Sequence, residues 1–109
     1  MYEVRHYATA SGKVVVEAWL NSLRDDKAEA RIAARLARLA AGNFGDCKPV
    51  GKGVWELRID WGPGYRVYYA LVGHSIVLLL CGGDKRKQSA DIKRATEYLN
   101  DYRRRTVKP

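Results

Sequence analysis

Two cysteines, two histidines, one methionine and three prolines are all that this chain of 109 residues has of those types, and each scarcity excludes something. Cys47 and Cys81 are separated by 33 intervening residues, with no Cys-x-x-Cys and no histidine at metal-ligand spacing. Neither a zinc site nor a disulfide framework is expected, and reduced thiols are the default. Nothing in the chain calls for a cofactor. No apolar run approaches the roughly 20 residues that cross a bilayer, and the N-terminus, MYEVRHYA, alternates instead of placing an apolar stretch behind a basic one. The expected setting is therefore soluble and cytoplasmic, with no membrane partner. Repeats, low-complexity tracts and linkers are absent too, so residues 1–109 are expected to form one domain with one modest core.

Acidic residues are also under-represented, 12 against 20 Lys and Arg, for a net charge of +8. The imbalance is uneven: residues 85–109 hold nine Lys/Arg against Asp91, Glu97 and Asp101, a net +6. A basic C-terminal quarter points to a polyanionic partner.

Along the chain, residues 2–8 alternate well enough for a first strand. Thr9 or Ser11 is placed to cap a helix carrying Val14, Val15, Ala18, Trp19 and Leu23. After a turn near Arg24, Asp25 and Asp26 comes a second helix with Ile32, Leu36, Leu39 and Ala40, stopped by Gly42. The short connection implies a helical hairpin packed on a sheet. Arg31, Arg35 and Arg38 form a basic stripe on the second helix, read as solvated or partner-facing. Residues 43–52 read as a Gly- and Pro-bearing loop. The apolar run at 75–81 reads as a strand buried on both faces. Ser89 is placed to cap a last helix with Ile92, Ala95, Leu99 and Tyr102, fraying from 103 onward. His6 and His74 are isolated and read as structural.

The stretch VWELRIDWGPGYRVYYALVGHSIVLLLCGGDKRKQ, residues 54–88, carries the most information. Alternating runs at 54–61 and 65–72 flank Gly62-Pro63-Gly64 and read as a β-hairpin. With Trp61 facing Tyr65, one face holds Trp55, Leu57, Ile59, Trp61, Tyr65, Val67 and Tyr69. The other holds Arg58, Asp60, Arg66 and Tyr68, with Asp60 opposite Arg66 and Arg58 opposite Tyr68. A two-residue loop would drive Arg66 onto the apolar face, which desolvation opposes.

The words WELR, GYRVYY and LLCGGDKRKQSADI resemble the RelE/ParE superfamily of type II toxins, in its HigB-like, addiction module killer branch. The resemblance implies an α+β fold: a small, mostly antiparallel four-stranded sheet packed on an N-terminal helical hairpin and a C-terminal helix, in the order β-α-α-β-β-β-α. It also implies a metal-independent mRNA endoribonuclease dependent on the ribosome. The partners it implies are a helix-turn-helix antitoxin, the ribosome and mRNA, with operator DNA reached only through the antitoxin complex.

Cleavage by the RNA's own 2′-hydroxyl needs a base for the 2′ proton, cations for a dianionic phosphorane and an acid for the 5′ oxygen. By the resemblance, GYR makes Arg66 the phosphate-binding arginine, and a guanidinium can hold two phosphate oxygens. Lys85 and Lys87 are the second catalytic choices, expected within about 10 Å of Arg66, the span of one nucleotide, and Arg58 is a third phosphate contact. Arg86, Gln88, Tyr68 and Lys52 are RNA-binding candidates, Gln88 as a positioning group or helix cap and Tyr68 as a stacking ring. The general base stays open between Asp91 and Asp84, with Lys52 a further candidate. RelE itself carries a tyrosine where this chain places Asp91-Ile92. As an exposed sheet-face residue, Arg66 is expected to tolerate alanine without loss of folding. The competing expectation is a non-catalytic ParE-like gyrase inhibitor or a module that only docks on RNA; the basic cluster favours cleavage.

Overall fold

The computed structural model describes residues 2–106. Strand β1 (Glu3–His6) precedes helices α1 (Val15–Ser22) and α2 (Asp26–Ala40). Strands β2 (Cys47–Gly51), β3 (Val54–Ile59), β4 (Tyr65–Val72) and β5 (Ile76–Asp84) follow, and a single 3-10 turn (Lys85–Lys87) runs into α3 (Gln88–Thr106). The five strands lie in the order β1-β5-β4-β3-β2, with β1 parallel to β5 and every other pair antiparallel. The α+β class is as expected, with one strand more than the four foreseen. Among the described residues no helix is long and apolar enough to cross a membrane.

The extra strand is β2, which takes up part of the stretch expected to be a loop. Its Gly and Pro content disguises it, yet proline is tolerated on an edge strand because its missing N–H can face away from the sheet. Pro49 sits opposite Trp55, and the register shifts between Pro49 and Gly51.

Both faces of the sheet are covered, which explains the uninterrupted apolar run of β5. On one face α1 and α2 contribute Val16, Ile32 and Leu39 to a core with Leu57, Ile59, Val67, Tyr69, Val77 and Leu79. On the other, Ala95 and Leu99 of α3 pack with Val54, Tyr68, Ala70, Leu78, Leu80 and Cys81. The expected face division of the hairpin is correct in parity but not in register. Ile59 pairs with Tyr65, Arg58 with Arg66 and Glu56 with Tyr68, which leaves residues 60–64 as the loop. A slip of two positions leaves every side chain within the ladder on its expected face, while Asp60, expected opposite Arg66, falls in the loop and Arg58 takes its place. Trp61 is drawn out of the ladder because its ring takes the Arg31 guanidinium at 4.0 Å and its Nε1 donates to Asp25 Oδ2 at 3.2 Å.

The helix ends depart from expectation for equally local reasons. The α1 N-cap is Val14, with no side-chain cap bond; Thr9 Oγ1 instead accepts from the Lys13 N–H within the preceding turn. At the far end β5 continues past 81 through Gly82, Gly83 and Asp84, and Asp84, not Ser89, takes the first free amide, that of Arg86 at 2.9 Å. Helix α2 ends as expected: the Asn43 N–H reaches Arg38 O at 2.9 Å and the Gly42 N–H reaches Leu39 O at 3.0 Å, with Gly42 at φ 91°. The basic stripe of α2 is only partly free. Arg35 donates to the carbonyls of Arg58 (2.9 Å) and Phe44 (3.1 Å), tying the helix to β3. Helix α3 persists through Thr106, beyond the expected fraying point, and residues 107–109 lie outside the described part.

Candidate functional site

A depression of about 500 Å³ opens between the β3–β4 loop and the start of the 3-10 turn. Asp46, Arg58, Arg66 and Lys85 line it, over Gly62, Pro63 and Gly64. Arg58 is held by Asp46, whose Oδ1 accepts from Nη2 at 2.9 Å and from Nε at 3.2 Å. Arg66 is set much deeper than an exposed sheet-face arginine, with a side chain only 11% accessible. Its Nε lies 3.4 Å from Oε2 of Glu56, a carboxylate with no exposed surface. Its Nε and Nη1 are both buried and neither has a hydrogen-bond acceptor, so the contact to Glu56 is an ion pair without a hydrogen bond. Gly64 keeps this space open: a Cβ there would lie 3.4 Å from Lys85 Cβ and 3.9 Å from Arg66 Nη1. Arg66 and Lys85 are therefore neighbours across one glycine.

Pro63 and Tyr65 also line a second depression, of about 420 Å³, shared with Trp19, Asp84, Arg86, Lys87, Asp91 and Arg94. The two glycines ending β5 shape it. A Cβ on Gly82 would meet the Trp19 ring at 2.2 Å, and one on Gly83 would meet Asp91 Oδ2 at 1.9 Å. Gly83 is the cross-strand partner of Arg66, so Asp91 packs on the same region of the sheet. The Asp91 side chain is 3% accessible, and its Oδ2 has no hydrogen-bond partner. Burial pushes its carboxyl above the ordinary range, opposed by the charges of Arg94 and Lys87. Asp84 is displaced the other way: the Arg86 guanidinium and amide hold it below the ordinary range.

The residues singled out in the sequence thus divide into three groups. Arg58, Arg66 and Lys85 share the first depression, and Arg86, Lys87, Asp84 and Asp91 the second. The GGDKRK cluster is split, with Lys85 on one side of Asp84 and Lys87 on the other. Lys52, at φ 56° in the β2–β3 turn, lines a separate groove against α3 and joins neither depression. Tyr68 and Gln88 are engaged inward. Tyr68 has no exposed surface and donates to Glu56 Oε2 at 3.2 Å; Gln88 Nε2 donates to the same oxygen at 2.8 Å. A ring with no accessible face offers a base nothing to stack on, and burial beside Glu56 drives the Tyr68 phenol far above its ordinary pKa.

Sequence reasoning missed Glu56, Asp46 and Trp19 as parts of the site. For Glu56 a signal existed: a carboxylate between Trp55 and Leu57, in a strand whose two faces both proved to be covered. Asp46 and Trp19 carry no comparable local mark. Cys81 is buried, its thiol pushed up to about 12, and so is unreactive. Among the described residues no group of three His, Cys, Asp or Glu side chains is placed to hold a metal ion.

A family model described as "Phage derived protein Gp49-like (DUF891)" matches residues 18–100, a stretch that includes Asp46, Glu56, Arg58, Arg66, Lys85 and Asp91. The chain is also 53% identical to an uncharacterised protein of Haemophilus influenzae over 79 residues, 72% of this chain and 80% of that protein. With well over half its length matched, on a five-stranded α+β fold with a cationic depression at its hairpin, the chain belongs to the Gp49-like phage-derived protein family, a family related to toxins of the RelE/HigB type.

Proposed function

We propose that the protein is the toxin of a HigB-like toxin–antitoxin pair and cleaves mRNA on the ribosome by attack of the RNA's own 2′-hydroxyl. The observation that carries this reading is the Arg66 guanidinium, set against the buried Glu56 carboxylate at 3.4 Å and left without a hydrogen-bond acceptor at Nε and Nη1, next to Lys85 and the open backbone of Gly64. In the reaction Asp91 takes the 2′ proton, the 2′ oxygen bonds to phosphorus, and the P–O5′ bond breaks as Lys87 gives a proton to the leaving oxygen. Arg66 and Lys85 stabilise the negative charge gathered on the phosphorane. The products are a 2′,3′-cyclic phosphate and a 5′-hydroxyl. Asp91 is preferred to Asp84 as base because burial raises its affinity for a proton, whereas Arg86 lowers that of Asp84. A helix-turn-helix antitoxin encoded beside the toxin would neutralise it in the cytoplasm, and operator DNA would be bound only through that complex.

The depth of Arg66 changes which variant tests this. Arg66→Ala would strip a buried carboxylate of its cation and unsettle the fold, so Arg66→Lys, which keeps the charge and loses the fork, is the better substitution. Primer extension on mRNA from expressing cells should show cuts with wild type and about 10²-fold fewer with Arg66→Lys, on the scale of losing one transition-state donor. Growth arrest with intact mRNA and gyrase-linked DNA breaks would overturn the nuclease reading in favour of gyrase inhibition.

A further inference from the structure

We propose that Glu56 is the positioning residue for Arg66: it fixes one edge of the guanidinium so that the other is presented to a substrate phosphate. The proposal rests on the nuclease reading above. Glu56 lies on β3 with no exposed surface, and its Oε2 gathers donors from two other elements: Tyr68 OH at 3.2 Å from β4 and Gln88 Nε2 at 2.8 Å from the start of α3. Arg66 Nε approaches the same oxygen at 3.4 Å. An arginine that neutralises a buried carboxylate commonly meets both of its oxygens with two parallel N–H bonds. That is not the arrangement here. Glu56 Oε1 has no hydrogen-bond partner, and neither Nε nor Nη1 of Arg66 makes a hydrogen bond, so the two groups meet as an ion pair through Nε alone. The carboxylate is clamped by neutral donors, and the guanidinium leans on it by one edge alone. Nη1 is buried beneath Gly64 and beside Lys85 with no acceptor, and a phosphate oxygen reaching it past the glycine would satisfy it. Burial of Glu56 thus fixes the orientation of a long side chain that would otherwise sample many rotamers before each encounter with substrate.

The experiment combines kinetics with NMR on the full chain, using Glu56→Gln, Arg66→Lys and the double variant. In single-turnover cleavage of mRNA on programmed ribosomes, Glu56→Gln should lower kcat by about 10- to 100-fold with KM within about 2-fold, because position and not binding is lost. Added to Arg66→Lys, it should cost less than about 3-fold more, since both substitutions disable one group. Tyr68→Phe keeps the carboxylate and removes one clamp. It should lose about 3- to 10-fold, and it decides the matter if Glu56→Gln does not fold. The Arg66 Nε–Hε resonance should be protected from solvent exchange in wild type and lose that protection in Glu56→Gln and Tyr68→Phe. Wild-type kcat in Glu56→Gln, or losses that multiply fully in the double variant, would overturn the positioning role. Should the wild-type protein cut no RNA, the nuclease reading fails alone and the resonance decides: an unchanged Arg66 signal in the variants refutes the positioning of Arg66 by Glu56.

Discussion

Gly82 and Gly83 are adjacent, face opposite sides of the sheet, and each leaves room for one bulky neighbour: the Trp19 ring on one face and the Asp91 carboxylate on the other. Gly82→Ala would drive a Cβ into a rigid ring and should destabilise the fold by about 1–3 kcal/mol, visible as a lowered Tm. Gly83→Ala would expel the carboxylate, so its cleavage should fall at least as far as that of Asp91→Asn. Asp91 also makes a pH-dependent contribution. Burial holds its folded pKa above the unfolded value, so its stabilising effect is complete at acid pH and is lost as pH rises through the raised pKa. Asp91→Asn should therefore melt above wild type at neutral pH and lose that margin below the ordinary carboxylate range, while cleavage is abolished. A margin independent of pH in thermal melts would assign the difference to packing instead of charge.

At the scale of elements, α2 is tied to the hairpin at its N-terminus and again through Arg35, which donates to the Arg58 carbonyl. Asp25 caps it by accepting from the amides of Lys27 (3.0 Å) and Ala28 (3.3 Å), and the other carboxylate oxygen receives Trp61 Nε1 from the β3–β4 loop. That indole bond, followed by the two amides, holds Asp25 below the ordinary carboxylate range. A depressed folded pKa contributes stability that is present above the unfolded value and is lost as pH falls through the folded one. Asp25→Ala should accordingly lower Tm at neutral pH, with the deficit closing on acidification, as melts across pH would show. The same substitution frees Trp61 and loosens the loop that borders the Arg66 depression, so cleavage should decline modestly even where the fold survives.

For the whole molecule the relevant quantity is the distribution of its +8 charge. Several arginines are paired at short range: Arg58 with Asp46, Arg86 with Asp84, and Arg104 and Arg105 with Asp101. Arg66 faces the buried Glu56 carboxylate at 3.4 Å, whereas among the described residues Lys85 at the first depression and Lys87 at the second have no carboxylate at ion-pair distance. If these three contact phosphates, log K for a single-stranded RNA oligonucleotide should fall against log salt with a slope of about −2, near 0.7 per neutralised phosphate. Titrations from low to high salt measure this directly. A flat response would deny the cationic surface a part in binding RNA.

Parity was legible in the sequence. Alternation across residues 54–72 placed Arg58, Arg66 and Tyr68 on one sheet face and Leu57, Ile59 and Val67 on the other, because a strand's period of two survives any even slip of register. The words GYR and GGDKRK likewise brought Arg66 and Lys85 to notice, and the antiparallel pairing of β4 with β5 puts them side by side. Tertiary structure decided the rest. The second face of the sheet is covered by α3, and that burial turned Tyr68 from a stacking ring into a hydrogen-bond donor to Glu56, made Gln88 a partner of the same carboxylate, and pushed the Asp91 carboxyl above its ordinary range. Strand β2 formed despite Pro49 because an edge needs hydrogen bonds on one side only. Local pattern fixes which way a side chain points; whether that direction meets water or another helix depends on contacts distant in sequence, and desolvation there sets the chemistry.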